Sequence, residues 1–233
     1  MNAKDVKKDL KKLANPEQAK LLQRFFKTGL GEYAEGDVFL GIKVPVQRKV
    51  AKNYIDLSLK DVQELLSSKI HEHRLSALFI LIDKYKKSDL KGKKQIFDFY
   101  LKNTQHINNW DLIDLSAPNI VGNYLLDKDR KILYKLAKSK SLWEKRISVL
   151  ATFSFINNKE TKDILKIAEI LLHDKHDLIH KAVGWMLREI GKRVSQAEEE
   201  KFLKKHYKVM PRTMLRYAIE RFDEKKRKFY MKK

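Results

Sequence analysis

The stretch His73-Arg74-Leu75-Ser76-Ala77-Leu78-Phe79-Ile80-Leu81 decides the fold, because its pattern returns at Lys145-Arg146-Ile147-Ser148-Val149-Leu150-Ala151-Thr152-Phe153. In both, an arginine leads into a run that is almost wholly apolar. With Arg74 as reference, a step of 36 residues reaches Trp110, in Asn109-Trp110-Asp111-Leu112-Ile113-Asp114, and a second step of 36 reaches Arg146. Steps of 35 then reach Lys181, in Lys181-Ala182-Val183-Gly184-Trp185, and Arg216, in Leu215-Arg216-Tyr217-Ala218-Ile219. About 35 residues hold two helices and their turns, and a fixed period of that size is the mark of stacked helical repeats.

Outward from these anchors, apolar residues recur at helical spacing almost everywhere. Val6, Leu10 and Leu13 mark a first helix; Leu21, Leu22, Phe25 and Phe26 mark a second, opened by Pro16, which suits a first helical turn. Pro45 opens a third, to about Ile55, and Leu59 to Ser67 is a fourth. Further helices are predicted near 70–86, 88–102, 109–116, 118–126, 129–138, 141–157, 160–172, 176–193, 195–206 and 210–222. With 8 Gly and 4 Pro in 233 residues, breakers are scarce. Half of the glycines, Gly29, Gly31, Gly36 and Gly41, fall in one predicted loop over 29–42, which also carries Tyr33 and Phe39. No strand precedes Gly29-Leu30-Gly31, so it is not a dinucleotide fingerprint. The expected fold is all-α: a HEAT-like or ARM-like solenoid with a concave basic face, forming a single domain over 1–233.

Charge narrows the function. Lys and Arg total 51 against 30 acids, a net charge of +21. Such an excess repels itself in a compact chain and suits a polyanionic partner: DNA, RNA or an anionic membrane. With no cysteine, disulfides, thiolate metal sites and Cys nucleophiles are excluded. The opening Met1-Asn2-Ala3-Lys4-Asp5-Val6 lacks the apolar core of a signal peptide, and no run approaches the length of a membrane span, so a cytoplasmic protein is expected. Lys7, Lys8, Lys11 and Lys12 make the first helix basic, but its apolar face is thin and better suited to packing than to a membrane.

Equivalent helices of successive repeats line one face. Arg74, Arg146, Lys181 and Arg216 at one phase would then form a ladder against DNA phosphates. The plainer alternative is that each cation pairs with a neighbouring acid. Trp110 interrupts the ladder. Asp114 follows it by four residues on the same helix face, as Trp185 follows Lys181, whereas Asp111 points about 100° away. Either tryptophan could instead be core, as Trp143 is expected to be, and Asp114 could merely balance an Arg of another repeat. His173, His176 and His180 straddle a turn and lack the companions of a metal site. Lys225 to Lys233, with six cations in nine residues, reads as a solvated tail with auxiliary DNA contact as the alternative.

The segments Asn109–Asp114, Trp143-Glu144-Lys145-Arg146, Lys181–Glu189 and Phe39-Leu40-Gly41-Ile42-Lys43-Val44-Pro45-Val46-Gln47-Arg48 together resemble the DNA alkylation repair glycosylases with HEAT-like repeats, the AlkD type. The resemblance spans roughly 20–220 in the same motif order. It implies removal of cationic N3- and N7-alkylpurines from duplex DNA without flipping the base into a pocket. Asp114 would be the catalytic carboxylate, Trp110 and Trp185 would contact the deoxyribose and backbone, and Arg146 would hold a phosphate. Lys43, Arg48, Arg74, Lys181, Arg188, Arg212 and Arg216 complete the expected DNA-binding set. Some members have Gln where this chain has Lys43 and Tyr where it has Phe25.

A cationic alkylpurine leaves as a neutral base, so one carboxylate that stabilises positive charge on the sugar is enough and no second acid is required. The expectation is a monofunctional glycosylase without strand cleavage, metal or cofactor. It would be a bacterial-type, nucleoid-associated monomer without an obligate protein partner. The alternative is a non-catalytic repeat protein that binds damaged or branched DNA, or a scaffold for RNA or protein.

Overall fold

The computed structural model describes residues 1–232. The chain is all-helical: among the described residues the only strand-like feature is an isolated parallel bridge between Val38 and Ile70. It divides into two compact units, Met1–Leu112 and Ile113–Lys233.

In the first unit, α1 (Ala3–Lys12) starts at a capping box, with the Asn2 side chain on the Asp5 amide and the Asp5 carboxylate on the Asn2 amide. Next come α2 (Pro16–Phe25), α3 (Val44–Lys52) and α4 (Leu59–Leu66). They are followed by α5 (His71–Lys87) and α6 (Leu90–Lys102). Pro16 sits in the first turn of α2, as its fixed φ favours, behind the Asn15 cap. The hub is α5, whose residues His71 to Ile82 are all buried, with α3 and α4 packed on it. A helix apolar nearly all round belongs in a core.

The boundary between the units falls inside α7 (Trp110–Ser116). The second unit continues through a π-helical turn at Pro118–Gly122 to α8 (Lys131–Ala137), α9 (Leu142–Ala151), α10 (Phe153–Asn157) and α11 (Lys162–Ile170). It closes with α12 (Asp177–Arg193), α13 (Gln196–His206), α14 (Arg212–Ala218) and α15 (Glu224–Met231). Here α12 is the hub, packed by α9, α13 and α14. Gly184 permits the close approach of α14: a Cβ there would lie 2.4 Å from the Met214 carbonyl oxygen and 2.6 Å from the Tyr217 Cβ.

The structure differs from the sequence expectation at three places. The helix expected over 118–126 is a π-helical turn, and the one over 141–157 breaks at Thr152 into α9 and α10. The C-terminal run is not a solvated tail: Asp223 caps α15, and Tyr230 is buried against Tyr207 and Phe222. Lys233, the last cation of that run, lies outside the described residues. No helix among the described residues is long and apolar enough to cross a membrane.

Candidate DNA-lesion site

Asp114 and Arg146, both in the second unit, form a two-point ion pair. Arg146 Nε donates to Asp114 Oδ1 at 2.8 Å and Nη2 to Oδ2 at 2.6 Å, while Nη1 donates to the Leu178 carbonyl oxygen at 2.6 Å. The guanidinium side chain is 5% exposed and the carboxylate 17%. Paired parallel hydrogen bonds fix the plane of a carboxylate as well as its position. A carboxylate offers about four lone-pair sites, two of which Arg146 fills. Asp114 thus sits at the surface edge of a buried cation, on the helix that Trp110 begins.

This geometry changes the part expected of Arg146. All three of its nitrogens donate to Asp114 and Leu178, so it is not placed as a surface phosphate contact. Arg74 departs from the ladder in the same way. It is buried, its Nη2 donating to Asp37 Oδ2 at 2.6 Å and its Nη1 to the Ser68 carbonyl oxygen at 2.9 Å. In both cases the acid lies roughly one repeat earlier in the chain. The repeated cation at these two phases ties neighbouring repeats together, which is the plainer of the two sequence alternatives.

The remaining cations differ. Lys181 pairs with Asp177 along α12 at 2.7 Å. Arg188 pairs with Glu220 and stands 3.6 Å from Glu189. Arg212 is exposed and donates to the Met231 carbonyl oxygen at 2.9 Å. Arg48 is exposed with its guanidinium over the Phe79 ring, 4.5 Å from the centroid. Lys43, just before α3, and Arg216, on α14, are exposed.

Both expected tryptophans are partly buried and tethered. Within the first unit, Trp110 stacks on Phe26 with centroids 5.3 Å apart, meets Phe25 edge-on at 6.0 Å, and donates from Nε1 to the Tyr33 hydroxyl at 3.2 Å. Within the second, Trp185 Nε1 donates to Glu189 Oε1 at 3.3 Å, and Arg193 Nε holds the other oxygen of that buried carboxylate at 2.6 Å. Trp143 is also partly buried.

Behind Trp110 lies a polar network that sequence reasoning missed. His71 Nε2 is 2.8 Å from Asp111 Oδ2, its Nδ1 is 3.5 Å from Asp37 Oδ2, and its ring stacks on Phe39 at 4.6 Å. Burial opposes a charge on His71, but the Asp111 carboxylate, by charge and hydrogen bond, and Asp37 outweigh it and raise the pKa to about 9. Burial likewise opposes ionisation of Asp37, yet His71 and Arg74 hold its pKa below the ordinary value. Asp111, turned away from Asp114 as expected, is the anchor of this network. Glu72, fully buried beside it, accepts the Leu40, Gly41 and Ile42 amides at 2.9, 2.8 and 3.2 Å, which fixes the loop that presents Lys43. Gly41 has φ of +83°, and a Cβ there would lie 2.1 Å from the Asn15 carbonyl oxygen, so only glycine fits. The sequence signal was present but faint: Glu72 directly precedes the reference motif, and Asp37 lies about one repeat before Arg74.

The three histidines do not converge on a metal geometry. His176 caps α12, its Nδ1 accepting from the Leu178 amide at 3.1 Å; His180 Nε2 lies 2.6 Å from the Asp174 carbonyl oxygen, and His173 is exposed.

Residues 6–222 match the family model described as DNA alkylation repair enzyme. The chain belongs to this family. As a DNA alkylation repair enzyme it has DNA as its substrate. Among solved structures, the fold is similar to one described as "Predicted DNA alkylation repair enzyme from Enterococcus faecalis". The TM-score is 0.71 at 16% identity, over 91% of this chain and 97% of that one. At that identity the likeness is one of fold. No curated protein matches significantly.

Proposed function

We propose that this family member is a DNA glycosylase that hydrolyses the N-glycosidic bond of cationic N3- and N7-alkylpurines in duplex DNA, with Asp114 as its catalytic carboxylate. The observation that carries this is the Asp114–Arg146 pair: an aspartate at the surface edge of a buried guanidinium, its plane fixed by two short hydrogen bonds. Arg146 is a positioning residue in this reading. It holds the carboxylate in one orientation before DNA arrives, so little reorganisation is left for the reaction itself.

The chemistry needs no more than that. The alkylated purine already carries a positive charge and departs as a neutral base without receiving a proton. As the bond breaks, positive charge moves onto the deoxyribose. A fixed carboxylate stabilises that charge more in the transition state than in the ground state, and only this difference raises the rate. Water then adds to the sugar carbon, and its proton passes to Asp114 or to solvent. Trp110 and Trp185 are assigned contacts to the deoxyribose and backbone, where an indole face favours a nearby cation by about 0.5–2 kcal/mol. Lys43, Arg48, Lys181, Arg188, Arg212 and Arg216 are assigned to the DNA backbone. The reaction uses no lysine nucleophile, so the strand stays intact, and the protein works as a monomer in the cytoplasm.

The rival is a member that binds damaged or branched DNA without chemistry. Methylated duplex DNA separates the two. The glycosylase releases 7-methylguanine or 3-methyladenine above the spontaneous rate, and Asp114→Asn slows release by about 10²- to 10³-fold while still binding undamaged duplex. Binding without release by the wild type would establish the rival.

A further inference from the structure

The C-terminal helix α15 begins at Glu224, just past residue 222 where the family match ends. It is nevertheless built into the second unit. Asp223 caps it by accepting from the Lys226 amide at 2.9 Å, Tyr230 is buried, and Arg212 of α14 donates to the Met231 carbonyl oxygen at 2.9 Å. These ties fix which way Arg227 faces. It lines a cavity of about 520 Å³ together with Lys181 of α12 and Thr213, Arg216 and Tyr217 of α14.

The charges of this cavity do not balance. Two carboxylates also line it, but each has its own cation: Asp177 pairs with Lys181 at 2.7 Å, and Glu220 with Arg188. Arg216 and Arg227 are both exposed, and among the described residues neither guanidinium has a hydrogen bond or ion pair. A capped and packed helix therefore brings a second guanidinium without a protein partner to the lining of the same cavity. The cavity is open to solvent-borne ligands and guanidinium is the group best suited to phosphate oxygens.

We propose that Arg216 and Arg227, supported by Lys181, form a phosphodiester site that seats the DNA backbone against the C-terminal helix. The proposal rests on DNA being the ligand, and what it adds to the proposed glycosylase is Arg227 on α15, beyond the family match, as a partner of Arg216 and Lys181 in one backbone anchor. Base chemistry plays no part in it.

The test is binding of undamaged duplex by fluorescence anisotropy, with Arg216→Gln, Arg227→Gln and the double variant, between about 50 and 200 mM salt. Each single variant is expected to weaken binding about three- to tenfold at the lower salt and to reduce the slope of log K against log salt by about 0.9. Without DNA, the melting temperature is expected to hold, because both side chains are exposed and neither guanidinium has a protein partner to lose. Unaltered affinity and slope in both single variants would overturn the proposal, as would a lowered melting temperature that accounts for the weaker binding. Inorganic phosphate provides a further arm: stabilisation of the wild type by phosphate, with duplex affinity unaffected by the variants, would make this a small-anion site instead. A wild type that binds duplex but releases no base sinks the glycosylase and leaves this site standing; release with unaltered variant binding does the reverse.

Discussion

Removal of the Arg146 guanidinium probes how the candidate carboxylate is held. In Arg146→Gln the Asp114 carboxylate loses donors at 2.8 and 2.6 Å, and the Leu178 carbonyl loses one at 2.6 Å. Breaking a buried ion pair from one side costs about 3–5 kcal/mol, because the other charge is left without a partner. Asp114 retains 17% of its exposure and can recover some hydration, which places the cost near the lower end, about 3 kcal/mol. For a chain of this size, about 2–4 °C per kcal/mol gives a melting temperature lower by about 6–12 °C. Asp114→Asn leaves the guanidinium similarly stranded. The double variant should be far more stable than the sum of the single effects predicts, with a coupling of about 2–3 kcal/mol. Thermal melts of the four proteins by circular dichroism measure this directly. Single variants within about 1 kcal/mol of wild type, or effects that simply add, would refute the pairing argument. At a temperature where Arg146→Gln is folded, its single-turnover base release should fall at least about tenfold, since the carboxylate has lost its fixed orientation.

Three further outcomes follow from other parts of the molecule. His71 has a folded pKa raised to about 9, above its ordinary 6.5, so the stability it contributes is complete below about pH 6.5 and is lost as pH rises through 9. Melting temperature should therefore fall between pH 7 and pH 10, and His71→Gln should remove that part of the fall; an identical pH profile in the variant would contradict the assignment. Glu199 is pushed up to about 8 by burial first and by the neighbouring Glu200 charge, against the pull of Arg188, so its ionisation opposes folding as pH rises from about 4.5 to 8. Glu199→Gln should stabilise the protein by about 2–3 kcal/mol at pH 7 and have little effect at pH 4, as read by denaturant titration. Gly184→Ala would force a methyl to within 2.4 Å of the Met214 carbonyl oxygen, and overpacking of this kind should lower stability by about 1–3 kcal/mol in the same titration.

Much of the fold is legible in the sequence because helical periodicity survives in it almost without interruption. The five reference positions all fall in helices, and Asn15-Pro16 marks the start of α2 to the residue. The tail was misread because six cations in nine residues obscure a single anchor, Tyr230, whose burial depends on Tyr207 and Phe222 from earlier segments. The candidate site was legible wherever it depends on spacing within one helix: Trp110 and Asp114 lie one turn apart on α7. It was not legible where partners come from different repeats. Periodicity places Arg74 and Arg146 at equivalent phases but cannot tell a guanidinium that faces solvent from one that faces Asp37 or Asp114, because both lie at the same helical angle until the neighbouring repeat is in place. The His71–Asp111–Asp37 network was hidden for a related reason. It is assembled by the 29–42 loop, whose course is set by Glu72 and by the positive φ of Gly41, and neither leaves a periodic trace.

The central claim is that Asp114 performs chemistry, and the most direct measurement is the single-turnover rate of 7-methylguanine release from methylated duplex DNA by Asp114→Asn and wild type. It is taken at a temperature where both are folded and with DNA saturating. Loss of a charge aimed at the transition state should slow release by about 10²- to 10³-fold, with undamaged duplex bound as tightly as by the wild type. Release by Asp114→Asn within twofold of the wild-type rate would contradict the account and return Asp114 to the role of a partner for Arg146.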